Sequence, residues 1–133
     1  MSNYLVSIDL NLTLQPASTQ KEVKNEVQIV RKLRHQNIAK MRAFWKDDHH
    51  QYMLFDYAVN GDLSKLLREH APLNLDAARF FLAHIVNGLE YLRSRNLIHR
   101  DLKPANIVLN ECWVPKLADF GTAKTESVAP KKG

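Results

Sequence analysis

The sequence has one cysteine, few glycines and no long apolar run. The single cysteine, Cys112, excludes an internal disulfide framework and is typical of a protein from a reducing compartment. Nowhere do about 18 apolar residues follow one another, and residues 1–20 lack the basic start and apolar core of a signal peptide. We therefore expect no membrane span, and we expect an intracellular, cytoplasmic protein.

Charge of neither sign dominates the 133 residues. The formal net charge is +5, and 25% of the residues are charged against 45% that are hydrophobic, which are ordinary proportions for one globular domain. The lysines and arginines are scattered through the predicted helices instead of forming one stripe. This pattern indicates a solvated surface, so we expect no nucleic-acid partner.

Apolar periodicity predicts the elements of the first half of the chain. Alternation of apolar and polar residues over 4–14 predicts a half-buried strand. Apolar residues at helical spacing then predict a helix that is capped by Ser18 or Thr19 and runs to about Leu33. Apolar segments on either side of the charged residues 46–50 predict a β-hairpin.

The second half of the chain has the pattern of a mainly helical unit. We predict a short helix over 63–69, a long helix over 75–95 that Asn96 ends, and a second hairpin over 107–118. From residue 122 the composition is small and polar, which predicts disorder. The long helix is predicted to bury a seam formed by Phe81, Ile85, Leu89 and Leu92.

Residues 99–106, with the sequence HRDLKPAN, carry the strongest chemical signal. The proline and the density of charge exclude a regular helix or strand and favour a loop held in one shape. The loop presents the carboxylate of Asp101, the ammonium of Lys103 and the amide of Asn106. That set suits phosphoryl transfer, since it can orient a hydroxyl, balance phosphate charge and bind a metal ion. The triplet Asp119-Phe120-Gly121 begins 18 positions after Asp101.

With the loop, the second hairpin and this triplet in order, the chain resembles the eukaryotic protein kinase catalytic domain of the serine/threonine type. The resemblance implies an α+β class and a partial protein-kinase-like fold. It divides one domain, 1–133, into a remnant of a small antiparallel β N-lobe with helix C (1–55), a hinge (56–62), the front part of a mainly helical C-lobe (63–121) and a truncated activation segment (122–133). The triplet region is faintly similar to the phosphoinositide-dependent protein kinases of the AGC group.

The resemblance also implies catalytic roles for particular residues. Asp101 matches the catalytic base, and Lys103 matches the cation that faces the transferring phosphate. Asn106 and Asp119 match the two Mg²⁺ ligands, and Glu26 matches the helix-C glutamate. The implied cofactors are ATP and Mg²⁺, and the implied partner is a protein substrate.

A second set of positions matches the nucleotide-binding side of the family's site. Phe55 falls at the gatekeeper position, and Asp56 and Ala58 are implied to offer backbone groups to adenine. Asp62 is implied to bind the ribose through its carboxylate, and Val108 to pack on adenine. Four further positions match the family's regulatory spine: Val30, Met41, His99 and Phe120.

Two of these residues also have a plainer explanation. Glu26 also fits a solvated helix glutamate, and Asp62 fits equally well as the N-cap of the short helix that follows it. The adjacent His49 and His50 lack a third ligand at useful spacing, so we interpret them as exposed turn residues and not as a metal site.

The chain departs from the family pattern where the nucleotide should bind. No Gly-x-Gly-x-x-Gly loop precedes the first strand, and the segment Val6-Ser7-Ile8-Asp9 places Asp9 where the family has lysine, 17 residues before Glu26. An aspartate there is expected to repel both Glu26 and the phosphates. The chain also ends 12 residues after Gly121, so we expect the activation segment to be truncated.

These observations predict a protein serine/threonine kinase domain that is present as a truncated chain and is weakly active or inactive alone. The alternative is a catalytically dead kinase-like module that binds a partner. In that case a partner protein is expected to cover the apolar face that the long helix 75–95 would expose.

Overall fold

The computed structural model describes residues 4–9 and 16–126, with the backbone alone for 4–9. A short 3₁₀ turn over Pro104–Asn106 follows the loop residue Lys103. The helices and strands follow in this order: β1 (Tyr4–Asp9), α1 (Ala17–Val30), β2 (Met41–Lys46), β3 (Gln51–Asp56), α2 (Leu63–His70), α3 (Leu75–Ser94), β4 (Leu97–Ile98), β5 (Ile107–Leu109), β6 (Pro115–Leu117) and β7 (Lys124–Thr125).

A three-stranded antiparallel sheet in the order β1-β3-β2 forms the first part of the molecule together with α1. β1 runs beside β3, with Tyr4 opposite Asp56 and Asp9 opposite Gln51. The predicted hairpin is confirmed as β2 and β3. The predicted α+β class is therefore confirmed, while the exact domain boundaries stay predictions. The predicted strand over 4–14 is observed as β1, and residues 10–15 lie outside the described part of the chain.

The tip of the hairpin is organised by Asp47. Its Oδ1 accepts hydrogen bonds from the backbone N–H of His49 at 2.8 Å and of His50 at 2.7 Å, and its Oδ2 accepts one from the Tyr52 hydroxyl at 2.8 Å. The N–H of His49, the Tyr52 hydroxyl and the N–H of His50 together lower the pKa of Asp47 to about 2. The histidines thus lie in a carboxylate-capped turn, and no cluster of metal-ligating side chains occurs among residues 16–126.

The start of α1 differs from the prediction. The helix begins at Ala17 behind Pro16, and no side chain caps it, so neither Ser18 nor Thr19 takes that role. Pro16 is the N-cap, and its backbone oxygen accepts the N–H of Gln20 at 3.2 Å, so the helix starts through the backbone of Pro16 alone. The α-helix also ends at Val30, and a turn carries the chain to the buried Leu33.

The hydrophobic core lies between α3 and the β5–β6 hairpin. The predicted seam of α3 is confirmed, with Phe81, Ile85 and Leu92 buried and Leu89 partly buried. Leu109 and Leu117 from the hairpin are fully buried against it. No helix among the described residues is long and apolar enough to cross a membrane.

Gly88 lies where α3 packs against Leu117 of β6 and the backbone of Asn37. A Cβ built on Gly88 would lie 3.1 Å from the backbone oxygen of Asn37 and 3.1 Å from the Cδ1 of Leu117. That oxygen already accepts the N–H of Leu117 at 2.8 Å, so it is fixed in place. A side chain at this position would therefore force its neighbours to shift by a few tenths of an ångström.

Replacing Gly88 by valine should lower the free energy of unfolding by about 1–3 kcal/mol, because the added methyls must displace a fixed carbonyl and a buried leucine. Urea denaturation followed by circular dichroism measures the change. Ala83→Val, at an exposed position of the same helix, is the control for the helix propensity of valine. Equal midpoints for the two variants would contradict the packing argument.

The prediction of disorder after residue 122 is wrong for the residues up to 126. Lys124–Thr125 form β7, which pairs antiparallel with β4, and the N–H of Glu126 donates to the oxygen of Asn96 at 2.7 Å. Ala123 is buried in the core. The short strand β4 supplies a backbone partner from far along the chain, which local composition cannot reveal. Residues 127–133 lie outside the described part of the chain.

Candidate active site

The loop 99–106 is held by its own histidine and asparagine. His99 is buried, and its Nδ1 accepts the backbone N–H of Asp101 at 3.1 Å. Asn106 is also buried, and its Nδ2 donates to the backbone oxygen of Asp101 at 2.8 Å and to its Oδ2 at 3.1 Å. The carboxylate of Asp101 is therefore oriented by Asn106 while remaining partly open to solvent.

Lys103 lies on the solvent side of the same carboxylate. Its Nζ is 3.6 Å from the Oδ2 of Asp101, and both side chains are substantially exposed. An exposed pair of this kind contributes little to stability. The pair matters for chemistry instead, because it places a cation and a carboxylate side by side at the surface.

Two hydrogen bonds join the loop to the segment that contains Asp119. The backbone N–H of Ala118 donates to the oxygen of Asn106 at 2.9 Å, and the Nε2 of His99 lies 2.7 Å from the oxygen of Ala118. Because Nδ1 of His99 is an acceptor, Nε2 carries the proton and is the donor. The ring of Phe120 meets the ring of His99 edge to face at 5.0 Å. The loop and the triplet are thus one packed unit.

Asp119 projects from this unit as an exposed residue in the left-handed backbone region, with φ at 58°. Such a conformation costs energy for a residue other than glycine and is characteristic of functional sites. The amide nitrogen of Asn106 is engaged with Asp101, which leaves its oxygen as the group available to a cation. Amide and carboxylate oxygens suit Mg²⁺, which needs few protein ligands when phosphates supply the rest. The donor set therefore fits the implied metal.

Glu26 lies half-buried on α1, in the middle of that helix. Asp9, the residue at the family's lysine position, is the last residue of β1, and nothing is described of its side chain. Among the positions matching the regulatory spine, Val30 and Phe120 are buried in one core, Met41 packs against that core and His99 touches Phe120.

A cavity of about 510 Å³ lies between the segment after β3 and the β5–β6 hairpin. Three residues of the predicted nucleotide set, Asp56, Ala58 and Val108, line it. Asp101 and Asp119 are not among the lining residues described. Phe55 is half-buried against the core and likewise does not line the cavity.

Charged side chains at this cavity were not expected from the sequence. Arg42 binds Asp56 through two hydrogen bonds of 2.7 Å, and that guanidinium lowers the pKa of the Asp56 carboxyl. Lys116 is half-buried, its Nζ donates to the oxygen of Gln36 at 2.5 Å, and burial lowers the pKa of its ammonium. Lys116 could have been found from the pairing of β5 with β6, which sets it opposite Val108.

Asp62 acts as the N-cap of α2. Its Oδ1 accepts the Ser64 hydroxyl at 2.5 Å and the backbone N–H of Lys65 at 3.0 Å. Both bonds lower the pKa of Asp62, and the bond from the Ser64 hydroxyl has the larger effect. An isolated β-bridge joins Asp62 to Val108, so the cap lies beside the cavity hairpin. The plainer explanation of Asp62 is thus observed, and the ribose role stays a prediction.

Comparison with known proteins shows to which family a chain with this loop and triplet belongs. The family described as protein kinase domain matches residues 9–131. Over 102 residues the chain is 42% identical to Aurora kinase of Saccharomyces cerevisiae, with 77% of this chain and 28% of that protein covered. Over 110 residues it is 40% identical to 3-phosphoinositide-dependent protein kinase 1 of Homo sapiens, with 83% and 20% covered. The chain therefore spans less than a third of the length of these relatives. It belongs to the protein kinase domain family.

Proposed function

We propose that this chain is the part of a protein serine/threonine kinase that carries the catalytic loop. In this reaction the γ-phosphoryl group of ATP passes to a serine or threonine hydroxyl of a protein. The observation that carries the proposal is the packed unit of Asp101, Asn106 and the segment of Asp119. No packing rule requires an exposed carboxylate, a buried amide and a strained aspartate in this arrangement.

Each residue of the unit has a definite task in the proposed reaction. Asp101, oriented by Asn106, would accept the proton of the substrate hydroxyl. Lys103, beside that carboxylate, would balance negative charge on the phosphate. The oxygens of Asn106 and Asp119 would hold Mg²⁺, which when bound neutralises phosphate charge. Asp56, Ala58 and Val108 would face adenine, with Phe55 as gatekeeper and Asp62 near the ribose.

Asp9 limits the proposed activity. A carboxylate at the family's lysine position would weaken the binding of the phosphates and face Glu26 with like charge. We therefore propose that the 133-residue chain transfers phosphate very weakly or not at all. The exposed Cys112 fits the reducing cytoplasm in which we propose that the protein works.

A thermal shift with Mg·ATP should test the proposed site. Nucleotide at tenfold its Kd adds about 1.4 kcal/mol to stability, so millimolar Mg·ATP should raise the melting temperature measurably. Asp119→Ala should remove the Mg²⁺-dependent part of the rise, whereas Asp48→Ala, at the exposed hairpin tip, should leave it unchanged. No shift for the unaltered chain would exclude a nucleotide site of useful affinity.

The second candidate function is that of a kinase-like module that binds a partner protein. One observation favours it, namely that the outer face of α3 leaves Leu75, Leu82 and Val86 exposed by 64%, 60% and 57%. Exposed apolar patches of this kind often mark interaction sites. The absence of any effect of Mg·ATP, together with association that Leu82→Glu removes, would support this candidate instead.

A further inference from the structure

Asn25, one residue before Glu26 on α1, reaches the segment that follows Asp119. Its Nδ2 donates to the oxygen of Ala123 at 2.8 Å and to the oxygen of Gly121 at 3.3 Å. These partners lie 98 and 96 positions away along the chain. The bonds therefore join α1 to the segment after Asp119. These two parts of the chain are distant in sequence, and the proposed site requires them to lie close together.

The same segment is also held by the catalytic loop. The Nε of Arg100 donates to the oxygen of Thr122 at 2.6 Å. Three successive carbonyl oxygens, those of Gly121, Thr122 and Ala123, thus accept from Asn25, Arg100 and Asn25 in turn. The segment is clamped between α1 and the loop.

The triplet leads directly into the clamped segment. Phe120, which precedes the clamped carbonyls, and Ala123, within them, are both almost completely buried in the core. Asp119 lies next to Phe120 but is exposed. Its Oδ1 accepts the N–H of Gly121 over a long distance of 3.4 Å, so this hydrogen bond is weak. The residues after Asp119 are held by the clamp, by the pairing of β7 with β4 and by the bond from the N–H of Ala123 to the oxygen of Phe120, whereas Asp119 itself has a weak local bond to the glycine.

We propose that Asn25 is a positioning residue that fixes Asp119 relative to α1 for metal binding. This inference rests on the proposed function.

The test compares Asn25→Leu, which keeps the size and loses both donors, with Gln28→Leu at an exposed position of the same helix. The readout is the rate at which trypsin cleaves after Lys124, which is exposed in β7, followed by mass spectrometry. Loss of the clamp should accelerate that cleavage about three- to tenfold, the scale of one net hydrogen bond. Gln28→Leu should leave the rate unchanged, and circular dichroism should show that both variants are folded.

The second readout is the Mg²⁺ concentration needed for half of the ATP-dependent thermal shift. Asn25→Leu should raise that concentration about three- to tenfold, by the same reasoning, if the clamp positions Asp119. An unchanged cleavage rate would overturn the clamp, and faster cleavage with an unchanged Mg²⁺ requirement would overturn the positioning role. If neither protein responds to Mg·ATP, the proposed function and the positioning role both fail, while cleavage after Lys124 still decides whether the clamp exists.

Discussion

Exchanging Asp9 for lysine should tighten the binding of Mg·ATP by at least about tenfold, or ~1.4 kcal/mol. The substitution replaces a charge that repels phosphate with one that attracts it. It also gives Glu26 an opposite charge at the position where the family has lysine. Pair energies of about 1 kcal/mol in water and several at a partly dry site make tenfold a conservative expectation.

Isothermal titration of Mg·ATP into the two proteins measures the difference. Asp48→Lys, which makes the same change of charge at the exposed hairpin tip, is the control for the effect of net charge. Raising the salt concentration should abolish any gain in Asp48→Lys, whose charge is exposed, and should reduce the gain in Asp9→Lys only partly if the new lysine meets the phosphates in a sheltered site. Equal affinities for Asp9→Lys and Asp48→Lys would show that residue 9 does not face the nucleotide.

In the protein that carries Asp9→Lys, the further change Asp101→Asn should lower phosphoryl transfer about 10²- to 10⁴-fold, the usual contribution of a general base. Asparagine has the same size and keeps an oxygen for the Nδ2 of Asn106. The bond from Asn106 to the backbone oxygen of residue 101 is untouched. The loop should therefore keep its shape and lose only its base.

Transfer of labelled phosphate to a generic protein substrate measures this loss. Asp76→Asn, in the exposed first turn of α3, is the matched control and should leave transfer unchanged. The affinity for Mg·ATP should also stay within about twofold, because a base that acts on the hydroxyl contributes little to nucleotide binding. Undiminished transfer by the Asp101→Asn protein would remove Asp101 from the catalytic role.

Much of the fold follows from local pattern. Phe81, Ile85 and Leu92 recur at helical spacing, and their seam is buried as the spacing predicts. The hairpin formed by β2 and β3 follows equally from two apolar segments around a charged tip. Residues close in sequence determine such features, so these features can be predicted from a single sequence.

The parts that could not be predicted depend on distant residues. The approach of Gly88 to Leu117 and the two bonds from Asn25 to the segment after Asp119 exist only once the elements have packed. The strand β7 likewise needs β4 as a partner. Asp62 shows the same limit within the site, since a turn aspartate fits a helix cap and a ligand contact equally well until its hydrogen bonds are seen.

The central claim is that the catalytic loop is assembled while Asp9 impairs the nucleotide side. The most direct measurement is transfer of labelled phosphate by three purified 133-residue proteins: the unaltered chain, the Asp9→Lys variant, and the Asp9→Lys variant that also carries Asp101→Asn. We predict transfer by Asp9→Lys alone, with the other two near background. Robust transfer by the unaltered chain, abolished by Asp101→Ala, would contradict this account.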